Sequence, residues 1–144
     1  APGILADPRR RPVAPARAVW ELGHPAAEPA PGPDGLAPAE ADAFLHHQFT
    51  LAVDLLAGRL QPDLVPPGLA EAFTAAWGVT VDGRLARAGL PGYDQARCRG
   101  RFSRLFATAG VLMPGHWQIF QSLWDGGLAA QGEVLGAVRR LPRL

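Results

Sequence analysis

The chain has 144 residues and 15.2 kDa, is 48% hydrophobic and 19% charged, and carries a net charge of +1, a profile that fits one soluble domain with a single core. No apolar run reaches the roughly 18 to 20 residues of a membrane span, and the start, Ala1 to Arg11, has no apolar stretch of signal-peptide length, so a cytoplasmic protein is expected. One cysteine, Cys98, allows neither an internal disulfide nor a thiolate metal cluster.

Nine of the 15 prolines lie between Pro2 and Pro38. Residues 1–38, rich in proline, alanine and glycine, repeat at neither 3.6 nor 2 residues and hold too little apolar area to offset their ordering entropy. They are expected to form a disordered arm, or an extended one that lies on another surface with Trp20 and Leu22 as anchors. Residues 39–144 read as the helical domain.

A first helix is predicted from about Pro38 to Gly58. Leu45, Phe49, Ala52, Leu56 and Leu60 recur at steps of four, three, four and four, which predicts an inward apolar face. Glu40 and Asp42 suit the positive end of its dipole. Pro62, Pro66 and Pro67 stop it, and a second short helix is predicted from Pro67 to Trp77, ending at Gly78. Val79 to Leu85 contains Asp82-Gly83 between alternating residues, the one hairpin signal, and reads as a loop or a tiny ribbon.

A third helix is expected from Asp94, as N-cap, to Ala109, with Cys98, Phe102, Leu105, Phe106 and Ala109 on one side. A fourth follows Pro114 and carries Trp117, Phe120, Leu123 and Trp124 to Gly126. A fifth runs from about Leu128 to Arg140 with Val134, Leu135 and Val138 inward. The fold class is therefore all-α, a compact bundle of about five short helices behind a Pro-rich arm.

Candidate chemistry is sparse. His46 and His47 are adjacent, so on a helix they diverge by about 100 degrees and cannot share one ion. His46, Thr50 and Asp54 recur at steps of four, but they make a poor metal set and read as a solvated polar face. His24 and His116 would need tertiary proximity to contribute. Cys98 has Arg97 and Arg99 beside it, which would favour a thiolate, yet it falls on the apolar stripe of the third helix and reads as core. Ser103 and Ser122 are the only serines, and neither builds a nucleophile with histidine and acid. No catalytic residue and no metal ligand is assigned.

All 14 basic residues are arginine. Between Arg84 and Arg104 six of them, Arg84, Arg87, Arg97, Arg99, Arg101 and Arg104, face one acid, Asp94, a local charge of +5. Such a segment should attract an anionic partner. Nucleic acid is one candidate, a carboxylate-rich protein surface, which arginine forks suit well, is another, and a merely solvated face is the third reading. Tryptophan and arginine together anchor interfaces, so Trp20 and these six arginines are the candidate partner-binding residues.

Two family resemblances bear on function. Pro33, Asp34 and Gly35, then Phe49, Thr50, Leu51, Ala52, Val53, Asp54, Leu55, Leu56, Ala57, Gly58 and Leu60, resemble the first helix in the helical half of nitrile hydratase β subunits and their small accessory proteins. Leu90, Pro91, Gly92, Tyr93, Phe102, Leu105, Phe106, Gly110, Val111 and Leu112 are similar to a second block of that family. The resemblance implies a helical subunit or activator in a hetero-oligomer, with cobalt or iron held by the larger partner subunit and no cofactor in this chain. The alternative is a DNA-binding regulator: Arg104, Leu105 and Phe106, then Leu112, Met113, Pro114, Trp117, Ile119, Phe120, Leu123, Gly127, Leu128 and Glu133, resemble the helices that precede the recognition helix of winged-helix proteins.

Overall fold

The computed structural model describes residues 37–106 and 113–141. Trp20 and the rest of the predicted arm before Ala37, and the predicted end of the third helix at Ala109, lie outside the described residues. Among the described residues there are five α-helices and no strand: α1 (Pro38–Leu56), α2 (Ala70–Arg87), α3 (Gln95–Phe106), α4 (Pro114–Asp125) and α5 (Gln131–Arg140). Two 3₁₀ turns, Pro62–Leu64 and Pro67–Leu69, link α1 to α2. The predicted all-α architecture is thus the observed one. None of these helices is long and apolar enough to cross a membrane.

Helix boundaries follow ordinary local chemistry. Pro38 and Pro114 occupy first-turn positions where a missing N–H costs nothing. The Asp94 carboxylate accepts the Arg97 N–H at 2.7 Å, the predicted N-cap of α3. At the end of α4 Gly126 adopts φ 86°, and Gly127 N–H closes on the Ser122 carbonyl at 2.8 Å. The Gln131 side chain accepts the Gln61 N–H at 2.6 Å and donates to the Gln61 carbonyl at 2.8 Å, tying the loop after α1 to the start of α5.

α2 is the central element, packed by α1, α3, α4 and α5, and residues all round its circumference are buried. Its Phe73 and Trp77 join Phe102 and Phe106 of α3, Phe120 and Leu123 of α4, and Val134 and Val138 of α5 in one core. The Phe102 ring lies 4.4 Å from Phe106 and 5.4 Å from Phe120, centroid to centroid.

Two sequence expectations are corrected here. The second helix does not stop at Gly78, and Val79 to Leu85 is not a hairpin: the segment is the second half of α2. Asp82 spends its carboxylate on tertiary partners rather than on a turn, and Gly83 serves a close helix crossing, where a Cβ would collide with the Trp124 carbonyl.

The second correction concerns α1. Its apolar stripe, Leu45, Phe49, Ala52 and Leu56, points away from the core, with Phe49 72% and Leu56 90% exposed. The buried face is the opposite one, Ala43, His47, Leu51 and Asp54. Only Leu60, beyond the helix end, goes inward as expected.

Candidate functional site

The inward face of α1 carries two polar side chains into the core, and each finds partners on α2. Asp54, fully buried, accepts Arg84 Nη1 at 2.9 Å and Nη2 at 2.5 Å, together with Trp77 Nε1 at 3.0 Å. Arg59 stands 3.7 Å from the same carboxylate. Asp54 is therefore not part of a solvated face. Of its expected neighbours, Thr50 donates to the His46 carbonyl at 2.7 Å and His46 Nδ1 bonds the Asp42 carbonyl at 2.8 Å, so the three do not converge.

Two turns earlier on α1, at His47, Asp82 of α2 gathers a second network. His47 Nδ1 donates to Asp82 Oδ1 at 2.8 Å, the Tyr93 N–H to the same oxygen at 3.3 Å, and Cys98 Sγ to Oδ2 at 3.3 Å. The Tyr93 ring lies 5.3 Å from the His47 ring, and His47 packs against Gly78, its Cε1 3.5 Å from where a Cβ would stand. Nothing in the sequence spacing pointed to this cluster, because its members lie on α1, α2, α3 and the connection before α3.

Cysteine, histidine and aspartate meet here, but in the wrong order for a nucleophile. The thiol donates to the carboxylate rather than to the imidazole, and burial together with Asp82 pushes the Cys98 pKa well above its usual range. The group stays a protonated thiol, as the core reading of Cys98 expects. Burial also raises the Tyr93 pKa, against the opposing pull of Arg101 and Arg97. His116 is likewise built in: its Nδ1 accepts the Met113 N–H at 3.0 Å at the start of α4. Among the described residues no group of three or more His, Cys, Asp or Glu side chains could hold a metal ion.

A pH prediction follows from the thiol. The folded chain keeps a proton on Cys98 that the unfolded chain releases above about pH 8.5. That part of the stability is fully present below about pH 8.5 and is lost as pH rises beyond it. Urea midpoints measured from pH 7 to 10 should fall on the alkaline side, and Cys98→Ala should flatten the fall. A thiol-specific colorimetric reagent at pH 8 should label native Cys98 at least ~100-fold more slowly than the urea-unfolded chain, since labelling requires opening of the core.

The six candidate arginines do not share one surface. Arg84 is spent on Asp54, and Arg87 donates to the Trp124 carbonyl at the end of α4. The Arg99 guanidinium lies over the Trp117 ring, 4.9 Å from its centroid, on the side of α3 away from Arg97 and Arg101. Arg97, Arg101 and Arg104, at steps of four and three, form a stripe along α3. Arg97 and Arg101 both sit against the Tyr93 ring, 4.9 Å and 4.4 Å from its centroid, and Arg97 approaches Glu40 at 3.7 Å. Arg101 differs from the others in one respect: its Nε and Nη2 are buried and have no acceptor.

No protein-family model, no curated protein and no solved structure matches this chain.

Proposed function

We propose that this chain is a small, non-catalytic, cytoplasmic accessory subunit that docks on a larger protein through the arginine stripe of α3, with Trp20 as a further anchor. The observation that carries the reading is the Arg101 fork. Nε and Nη2 form the side of a guanidinium that takes both oxygens of one carboxylate, and here both are buried without an acceptor. A buried donor left unpaired costs about 1–3 kcal/mol, more when charged; a partner carboxylate that displaces the groups now covering Nε and Nη2 would offset that cost. The guanidinium also stacks on the Tyr93 ring, 4.4 Å from its centroid.

A protein carboxylate fits this arrangement better than a nucleic-acid backbone does. Duplex DNA would draw on a continuous basic face, whereas Arg84 and Arg87 are tied to acceptors within the fold and Arg99 lies on the other side of α3. Under the resemblance to nitrile hydratase β subunits and their accessory proteins, the partner is the cobalt- or iron-bearing subunit of a similar enzyme.

Native mass spectrometry of the protein isolated from its own cell tests the reading. The expected result is a complex with a second, larger polypeptide, and Arg101→Gln should weaken that complex by at least ~30-fold, the equivalent of ~2 kcal/mol for truncating one side of a buried charge pair. Elemental analysis should find cobalt or iron in the complex and none in this chain alone. Recovery of the chain without any second polypeptide overturns the proposal.

A further inference from the structure

The chain enters α1 beside the arginine stripe of α3. Ala37 is the residue before the helix, and Glu40, one turn further on, approaches Arg97 at 3.7 Å. Arg97 and Arg101 lie against the same Tyr93 ring, 4.9 Å and 4.4 Å from its centroid, so the Arg101 fork neighbours the point where the arm joins the fold. The acids of the fold around that fork are already committed. Asp94 caps α3 through the Arg97 N–H, Asp82 is bonded to His47, Tyr93 and Cys98, and Glu40 faces Arg97. An acceptor for Arg101 Nε and Nη2 must therefore come from the arm or from another molecule.

The sequence of the arm supplies one. Residues 1–17 hold four arginines and one acid, whereas residues 18–36 hold Glu21, Glu28 and Asp34 and no arginine. With His24 neutral, that stretch carries −3, opposite in sign and equal in size to the charge of Arg97, Arg101 and Arg104.

We propose that residues 18–36 are a built-in competitor for the stripe: in the lone chain one of their carboxylates takes the Arg101 fork, and a partner's carboxylate must displace it. The inference rests on the reading of Arg101 as a carboxylate fork. Reach permits it. Extended chain spans at most ~3.3–3.6 Å per residue, so Asp34, three residues before Ala37, reaches ~10 Å and Glu28, nine residues before it, ~30 Å. Arg101 stands one turn of α3, ~6 Å, beyond Arg97.

The tether also favours the contact. It holds the carboxylates near the stripe at an effective concentration on the order of millimolar, above that of a partner present at micromolar levels. Pro25, Pro29, Pro31 and Pro33 restrict the backbone of the undocked segment, which lowers the entropy lost on docking. Asp34 leaves the least chain to order and should contribute most. Displacement hands the same segment, with Trp20, to the partner.

Nuclear magnetic resonance of the full-length ¹⁵N-labelled chain, with nothing else present, tests the inference. The probe is the Nε–Hε resonance of Arg101, identified by its loss in Arg101→Lys. In the triple variant Glu21→Gln, Glu28→Gln, Asp34→Asn this resonance should move upfield as its charged acceptor is lost. Asp63→Asn, which removes an exposed acid from the turn after α1, should leave it in place.

Competition has its own measurement. A hexaglutamate peptide should bind the triple variant at least ~10-fold more tightly than the native chain, and adding Arg101→Gln should remove most of that gain. An Arg101 resonance that ignores all three substitutions overturns the proposal, and so does peptide binding no tighter in the triple variant than in the native chain. Neither result touches the complex sought by native mass spectrometry. A displaced resonance without that complex would remove the larger partner and leave the arm on the stripe.

Discussion

Asp54→Ala is expected to lower the folding stability of the chain by about 3–5 kcal/mol, the range for removing one side of a buried ion pair. The carboxylate is fully buried and satisfies three donors at once, the two Arg84 amino groups and the Trp77 indole N–H. Alanine leaves the indole unpaired inside the core and the guanidinium without its counter-ion. Arg84 is itself 34% exposed, so part of its charge relaxes into water and the loss should fall in the lower half of that range.

Against a typical total of ~5–15 kcal/mol this is a large fraction, and it should appear as a lower urea midpoint with an unchanged slope. Asp54→Asn keeps an acceptor for Trp77 and should cost less. A double-mutant cycle of Asp54→Ala with Arg84→Ala should show the two losses to be less than additive, because the second truncation removes a group the first has already stranded.

The same aspartate shows why one half of the sequence pattern was readable and the other was not. Hydrophobic periodicity places α1, α3, α4 and α5 within a few residues, and it assigns the inward faces of α3 to α5 correctly: Phe102, Phe106, Phe120, Leu123, Val134 and Val138 are all buried. On α1 it selects the wrong face. Periodicity ranks faces by their apolar content and cannot see that His47 and Asp54 have partners waiting on α2, 35 and 30 residues further on. Asp54 meets three donors in the core and His47 is held there by Asp82, although its Nε2 has no partner, and burying this face leaves the apolar stripe of α1 outside.

The arginines teach the same lesson. Their density between Arg84 and Arg104 is legible, yet only α3 gathers some of them on one side. Arg84 and Arg87 are spent on neighbours of α2, and Arg99 stacks behind α3. Charge counting along the chain sums residues that the helical turn separates, and the 97, 101, 104 spacing recovers the subset that shares a face. Tyr93, against which Arg97, Arg101 and His47 all lie, gives no comparable signal, because it stands in a connection with no period of its own.

Gly83→Ala is expected to destabilise the chain, although the same change inside an exposed helix normally stabilises by roughly 0.5–1 kcal/mol. A Cβ at Gly83 would overlap the Trp124 carbonyl oxygen and come within 2.9 Å of its carbon and 3.0 Å of its Cα. These are backbone atoms, so no side chain can swing aside and α2 and α4 would have to separate. Arg87 donates to that same carbonyl, and Gly126, next in the turn, lies 3.0 Å from Arg87 Nη2 measured from where its own Cβ would be. Separating the helices therefore also weakens the Arg87 contact that closes α4. Overpacking of this kind costs about 1–3 kcal/mol or more, which outweighs the gain in helix propensity. Gly100 in α3 and Gly132 in α5 supply the control, since a Cβ at either meets nothing within 4 Å. Thermal denaturation should show a lower midpoint for Gly83→Ala and raised midpoints for Gly100→Ala and Gly132→Ala. Equal gains at all three positions would mean that α2 and α4 do not cross closely at Gly83.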